Sequence, residues 1–179
     1  EEPYRGNTNL LTKGIQAITT IMTNLVQVGD LENIARAKWL EGCLLKARPA
    51  VCSEADLVLA TECFIEAANL YEAIGSVHQA IGAKLAAVGC CVRKYALDGM
   101  HAPLQAAKTL LLESAQLGET LWKKLNSVEW HHEISALLAD IYGELTWCEA
   151  ALGGKPYDVV YTATRAKGRE ILEHISALG

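Results

Sequence analysis

The stretch from 64 to 88, FIEAANLYEAIGSVHQAIGAKLAAV, constrains the fold more than any other part of the chain. Apolar residues recur at helical spacing both before and after Gly75-Ser76. Glycine commonly ends a helix and serine commonly begins one. Gln79, three residues after Ser76, completes the Ser-x-x-Gln pattern of a capping box. The stretch therefore predicts two amphipathic helices folded back on each other.

The overall composition predicts one folded all-α domain over residues 1–179. Hydrophobic residues make up 51% of the chain and charged residues 21%, which is typical of a chain that can bury a core. Ala, Leu, Glu and Lys dominate, and β-branched alternation is nearly absent. The net charge of −5 and the absence of a basic stripe argue against nucleic acid as a partner. Because the chain starts at Glu1 without Met, we expect it to be a fragment of a larger protein.

Neither a membrane span nor an oxidising compartment is indicated. The longest uncharged run, Gly14–Gly29, is too short and too polar to cross a bilayer. The six cysteines contain no CxxC pair and fall mostly within helical patterns, so we expect free, packed thiols in a reducing compartment, the cytoplasm or the nucleus. They are Cys43, Cys52, Cys63, Cys90, Cys91 and Cys148.

Turn and capping residues divide the chain into seven predicted helices. The first begins at about Thr8 and the last ends at about Leu178. The breaks between them are Gly29-Asp30, Arg48-Pro49, Gly75-Ser76, Asp98-Gly99, Asn126-Ser127 and Gly153-Gly154. Asp30 is predicted to cap the second helix, and Ser53 with Asp56 predicts a capping box before the third.

Each predicted helix carries an apolar stripe expected to face the core. The first stripe is Ile15, Ile18, Ile21, Met22, Leu25 and Val28, and the second includes Leu31, Ile34, Ala35, Cys43 and Leu45. The third stripe is Leu57, Ala60, Phe64, Ala67, Ala68 and Tyr71, and the sixth is Ile134, Leu138, Ile141, Leu145, Cys148 and Leu152. Trp39, Trp122, Trp130 and Trp147 are expected to pack in the core or between repeats.

The turn at Gly75-Ser76 recurs along the chain. The triplets Gly29-Asp30-Leu31, Gly75-Ser76-Val77 and Asn126-Ser127-Val128 are spaced by 46 and then 51 residues. Two-helix units at a near-constant period are typical of an α-solenoid, in which each hairpin packs on its neighbours. The predicted units are 8–48, 54–97 and 102–152, followed by a terminal helix over 156–178.

The middle unit resembles the tetratricopeptide repeat (TPR) family. Its matching positions are Phe64, Ala67-Ala68, Tyr71, Gly75, Ala80 and Ala87, which fall where that family has its bulky first anchor, Leu-Gly pair, Tyr, turn Gly and small alanines. Lys84 stands where the family prefers Phe, no Pro closes the unit, and the units exceed the usual length of about 34 residues. The chain is therefore most similar to a divergent long-helix branch that includes the soluble NSF attachment proteins.

This resemblance implies a concave groove, lined by the first helix of each hairpin, in which a peptide or helical partner docks. The groove residues it implies are Gln16, Thr19, Thr23, Gln27, Glu62, Asn69, Glu72, Thr109, Gln116 and Glu119. Thr23, Asn69 and Gln116 form a row of hydrogen-bonding side chains, and the glutamates favour a basic or neutral ligand. Ile65 replaces the Lys with which family members clamp a C-terminal carboxylate, so that clamp is not expected.

The chemistry-bearing residues leave two other functions open. Glu129-x-x-His132, with Glu133, predicts an alternative helical-bundle metal protein or enzyme, although di-iron bundles need two such motifs. His131 is expected instead to be a partly buried, hydrogen-bonded side chain. Cys90-Cys91 has only Lys94 nearby, so core packing is favoured over a nucleophile. The similarity to attachment proteins implies a second alternative, a membrane-trafficking adaptor.

Of these readings, the sequence favours a protein-protein interaction or scaffold module. It has no phosphate loop, nucleophile elbow or pair of catalytic carboxylates. We therefore expect a non-enzymatic protein without a cofactor or a bound metal. The partner is expected to be a protein or peptide, and the chain is expected to form part of a larger protein or complex.

Overall fold

The computed structural model describes residues 5–47, 53–125 and 127–176, with the backbone alone for 5–9, 128–129 and 169–176. Within those ranges the chain forms seven α-helices and no strand. The helices are α1 (Arg5–Val28), α2 (Leu31–Lys46), α3 (Glu54–Ala73), α4 (Val77–Asp98), α5 (His101–Lys124), α6 (Val128–Ala151) and α7 (Pro156–Ser176). The predicted all-α class and the predicted helix order are confirmed.

The helix ends follow from local chemistry at the predicted turns. Gly29 has φ 75° and Gly75 has φ 77°, in the left-handed region where a side chain would be strained. The Asp30 carboxylate accepts a hydrogen bond from the backbone N–H of Asn33 at 3.1 Å, which caps α2. Ser53 and Asp56 form the predicted reciprocal capping box at the start of α3. The predicted stop at Arg48-Pro49 lies outside the described residues.

The capping box predicted at Ser76 and Gln79 is wrong. Ser76 is the N-cap residue of α4, but its side chain makes no capping hydrogen bond. Its ψ is 65°, whereas Ser53 has the extended ψ of 156° that turns the hydroxyl towards the third helical N–H. Asp30 caps α2 from a similar ψ of 83° because its side chain is one bond longer.

The chain divides into two compact units, Glu1–Gly99 and Met100–Gly179. In unit 1, α1 packs on α2, α2 on α3, and α3 on α4. In unit 2, α5 packs on α6 and α6 on α7. Short connections make sequential neighbours antiparallel within each unit. That the chain forms a single domain stays a prediction.

The core of unit 1 is built where α2, α3 and α4 approach each other closely. Its central cluster consists mainly of alanines and is closed by Tyr71, with Leu70 and Ile74 packed at its edge. The alanines are Ala35, Ala67, Ala68, Ala80 and Ala83. A Cβ added to Gly42 on α2 would lie 2.9 Å from the ring of Phe64 on α3, so these two helices pack without spare room. Every residue of the predicted α3 stripe is buried.

The core of unit 2 is formed by the predicted stripe of α6 and by buried residues of α5. The α6 residues are buried as predicted from Ile134 to Cys148, and Leu152 is half-buried. Helix α7 is fixed by polar contacts. The hydroxyl of buried Thr162 donates to Glu149 Oε2 at 2.7 Å, and Glu149 Oε1 lies 3.3 Å from Lys108 Nζ. Both buried carboxylate oxygens are therefore paired, as burial of a charge requires.

The predicted core placement fails at α1 and the start of α2. Ile21 is 53% exposed, Val28 82% and Leu31 44%, although all three belong to the predicted apolar stripes. The described part of α1 packs extensively on α2 alone. One neighbouring helix covers a narrower arc than the stripe occupies, so part of the stripe faces solvent.

The two serine caps provide a first prediction. Ser53→Ala should lower the free energy of unfolding by about 1 kcal/mol, because it removes the capping hydrogen bonds of α3. Ser76→Ala is the matched control and should change it by less than about 0.5 kcal/mol. Urea unfolding followed by circular dichroism measures both variants, and equal losses would contradict the assignment of the caps.

Two helical glycines provide a second prediction. Nothing lies within 4 Å of a Cβ at Gly82, so Gly82→Ala should stabilise by up to about 1 kcal/mol through helix propensity. Gly42→Ala should instead destabilise, because overpacking against Phe64 costs about 1–3 kcal/mol. Adding Phe64→Leu should relieve part of that cost. Additive effects of the two substitutions would show that Gly42 and Phe64 are not coupled.

Candidate functional site

The predicted groove residues lie on the outer sides of α1, α3 and α5. Seven of them belong to unit 1, namely Gln16, Thr19, Thr23, Gln27, Glu62, Asn69 and Glu72. Three belong to unit 2, namely Thr109, Gln116 and Glu119. All are exposed except Glu119, which is half-buried. Thr23 and Asn69 belong to unit 1 and Gln116 to unit 2, and the row running through all three stays a prediction.

The predicted residues on α1 line a shallow, uncharged depression. Gln16, Thr19 and Thr23 border it together with Ile15, Thr20 and Asn24. The hydroxyls of Thr19 and Thr23 each donate to the carbonyl four residues earlier, at 3.0 and 3.1 Å. Their protons are thus engaged within the helix, and towards a partner these oxygens act as acceptors.

Two of the three predicted acidic residues are already used within their own unit. Glu72 Oε1 lies 3.2 Å from Nζ of Lys84, which is buried on α4. Glu119 Oε1 accepts from the hydroxyl of Tyr142 at 3.1 Å and pairs with Arg165 at 3.2 Å. Arg165 also stacks over the Tyr142 ring, 4.5 Å from its centroid. These contacts tie helices together, so they reduce the support for an acidic row that attracts a basic ligand.

The sequence did not single out an apolar groove that lies between α1 and α2. It has a volume of about 300 Å³ and is lined by apolar side chains with only two polar residues, Asn33 and Arg36. The apolar lining is Ile18, Ile21, Leu25, Ala37 and Leu40. The sequence pattern did mark part of this lining as apolar, since Ile18, Ile21 and Leu25 belong to the predicted α1 stripe. Periodicity identified that face as apolar but placed it in the core.

Further exposed apolar side chains occur on the same two helices. They are Leu10, Val26, Val28, Leu31 and Trp39. Arg36 is the charged residue of the groove lining, and its guanidinium pairs with Glu32 one turn earlier at 2.6 Å. Apolar surface, a tryptophan and little net charge are typical of the buried centre of a protein interface.

A buried thiol lies beside a group of charged residues where α2 meets α3. Lys38 Nζ bonds Glu66 Oε2 at 2.8 Å and lies 3.4 Å from Glu41 Oε2. The buried Glu41 Oε2 makes no hydrogen bond of normal geometry with Lys38. Burial, together with the negative charge of Glu41, raises the pKa of Cys63 to about 12. A thiol held in its protonated form is a poor nucleophile.

The cysteines have the packing role that the sequence predicted. Cys63, Cys90, Cys91 and Cys148 are buried free thiols, Cys43 is half-buried, and Cys52 lies outside the described residues. Burial raises the pKa of the Cys91 thiol. Lys94, three residues after Cys91 in the sequence, pairs with Glu54 at 2.8 Å. Burial also raises the pKa of the Cys43 thiol, so Cys43, Cys63 and Cys91 are all poor nucleophiles.

His131 is partly buried and hydrogen-bonded, as the sequence predicted. His131 is half-buried, its ring centroid lies 5.0 Å from that of Trp122, and its Nε2 lies 3.1 Å from the Trp122 carbonyl oxygen. The side chain of Glu129, on which the metal alternative depends, lies outside the described residues. Across the part of the chain whose side chains are described, no three potential ligands cluster around a metal position.

The predicted core placement of the tryptophans holds only in part. Trp122 is half-buried and its indole N–H donates to Ser135 Oγ at 3.1 Å. Trp39, Trp130 and Trp147 are exposed. Helices that pack mainly on their sequence neighbours leave an open side, and large rings on that side remain in solvent. Trp39 contributes to the apolar surface of α1 and α2.

Comparison with known proteins shows the fold alone. No family model matches the chain, and no curated protein matches its sequence. Among solved structures, a chain of the DHF58 filament, a designed helical filament, matches with a TM-score of 0.62 and 16% sequence identity. The match covers 97% of this chain and 86% of that chain. None of the described helices combines the length and the hydropathy that a membrane span needs.

The raised pKa of Cys63 predicts a pH dependence of stability. The folded state holds the thiol protonated up to a pKa of about 12, whereas an unfolded thiol ionises near 9. The folded state therefore keeps its full stability below pH 9 and loses part of it as the pH rises from 9 towards 12. Cys63→Ala and Cys63→Ser should both flatten this decline in urea unfolding measured from pH 8 to 10.5. An unchanged slope in both variants would show that Cys63 ionises normally in the folded protein.

Proposed function

We propose that this chain is a protein-interaction or scaffold module that binds a partner helix in the groove between α1 and α2. The observation that carries the proposal is that groove, where apolar side chains of both helices face solvent. An amphipathic helix laid along such a groove would bury its own apolar side chains against Ile18, Ile21, Leu25 and Leu40. The similarity of the middle unit to tetratricopeptide repeats supports an interaction role.

The likeness to the filament protein supports a scaffold role. That protein is a filament, and so an assembly, and it has the same all-α architecture. We propose by analogy that this chain, too, works within an assembly. The alternatives of a metal protein and a trafficking adaptor stay predictions, since no contact in the described residues favours either.

The proposed partner is a protein, and the proposed compartment is reducing, such as the cytoplasm. The free thiols at five described cysteines support that compartment. The net charge of −5 supports a protein rather than nucleic acid as the partner. The uncharged and apolar groove lining favours a partner helix that contributes apolar side chains rather than a highly charged peptide.

One leucine pair allows a controlled test of the groove. Leu40 in the groove and Leu112 on α5 are each 48% exposed, so replacing either by Glu introduces a charge at an equally accessible site. Leu40→Glu should reduce partner recovery at least tenfold, as expected for a charge in the centre of an interface. Leu112→Glu should leave recovery unchanged. Recovery is measured by affinity purification with quantitative mass spectrometry, then by calorimetry with the purified partner.

A second variant tests the predicted polar row. Asn69→Ala combined with Glu62→Lys alters exposed positions on α3, and leaves Glu72 in place because it pairs with buried Lys84. This variant should bind the partner normally if the α1–α2 groove is the docking surface. Loss of binding here, with Leu40→Glu unaffected, would assign docking to the polar row instead.

A further inference from the structure

Helices α1 and α2 form an antiparallel pair, and two such pairs packed together make a four-helix bundle. Each of the two helices covers one side of the other, and α3 covers a further side of α2. Among the described helices of unit 1, none packs extensively over the side that carries Ile18, Ile21 and Leu25 of α1 with Leu40 of α2. An antiparallel helix pair with one open apolar seam is completed by a second pair that presents a seam of the same kind.

The charge of this surface is compatible with its own copy. The α1 sequence from Gly14 to Gly29 contains no charged residue. On α2 the charge of Arg36 is matched by Glu32 on the same helix, at 2.6 Å. Two copies of a charged surface would repel each other, but this surface brings no net charge to the contact, although the whole chain carries −5.

The same two residues would suit a two-fold arrangement. In a two-fold contact, if residue i of one copy meets residue j of the other, then j also meets i. A surface with one arginine and one glutamate separated by a helical turn can therefore form the pair Arg36–Glu32 reciprocally between copies. A strongly basic partner could pair only with Glu32, and a strongly acidic partner only with Arg36.

From these features we infer that the occupant of the groove is the same groove of a second copy, so that two α1–α2 hairpins pair about a two-fold axis. This inference rests on the proposed function, and it identifies the partner helices as α1 and α2 of another chain. The association buries Ile21, Leu25 and Leu40 of both copies and leaves the outer, threonine-rich side of α1 outside the contact.

The test is the mass of the purified full chain in solution. Sedimentation equilibrium at increasing concentration should show the wild type shifting from one to two times the chain mass of 19.4 kDa. Ile21→Lys and Leu40→Glu should each raise the dimer dissociation constant roughly a hundredfold or more, because each substitution buries an unpaired charge twice in a two-fold contact. Leu112→Glu, at an equally exposed leucine on α5, should dimerise like the wild type.

Folding and surface controls keep the outcome unambiguous. Ile21 and Leu40 are about half exposed in a single chain, so the monomeric variants should keep the helical circular dichroism signal and unfold cooperatively. A wild type that is monomeric at every concentration overturns the inference. So does a dimer that persists in Ile21→Lys and Leu40→Glu.

The inference and the proposed function fail in different ways. A monomeric wild type that loses a different protein partner on Leu40→Glu overturns the second copy as occupant and keeps the groove as a docking site. A wild-type dimer that is lost in both groove variants and retained by Leu112→Glu supports the inference. If the wild type is a monomer and Leu40→Glu does not change the amount of partner recovered, both proposals fail.

Discussion

The contact between α2 and α3 is the interaction on which the arrangement of unit 1 depends. Helix α1 packs extensively only on α2 among the described helices, and α2 packs in turn on α3. The α2–α3 contact is close because Gly42 leaves room for the Phe64 ring and Ala35 lies in one cluster with Ala67 and Ala68. Small residues bring the backbones together, and many weak dispersion contacts then hold them. The position of α1 relative to the α3–α4 hairpin is set through this interface.

The groove follows from the way helices pack in unit 1. In a stack whose members contact mainly their sequence neighbours, an end helix has one neighbour, and a polar outer face normally protects it. Among the described helices, α1 packs extensively on α2 alone, and Ile18, Ile21 and Leu25 lie beside that contact, so apolar surface remains exposed next to α2. Polar pairs elsewhere serve the fold itself. Glu72 holds Lys84 within unit 1, and Glu119 holds Arg165 within unit 2.

Helix limits could be predicted well because they depend on a few adjacent residues. Gly29 ends α1 through a backbone conformation that other residues adopt at a cost, and Ser53 starts α3 through hydrogen bonds spanning three residues. At Ser76 the local sequence pattern predicted a capping hydrogen bond that does not form. The residue type suits a cap, but its ψ angle of 65° does not direct the hydroxyl to the helix, and residue type alone does not reveal that angle.

The sequence by itself determined the all-α class, the number and order of the helices in the described ranges, and the apolar stripe of each helix. The tertiary structure decided which stripes are covered. It buried the α3 stripe completely, left Ile21 and Leu40 beside an open groove, and engaged Glu72 and Glu119 in internal pairs. The reason is physical. Periodicity records that one side of a helix is apolar, but exposure depends on whether another helix lies against that side, and this is settled by packing between residues far apart in the chain.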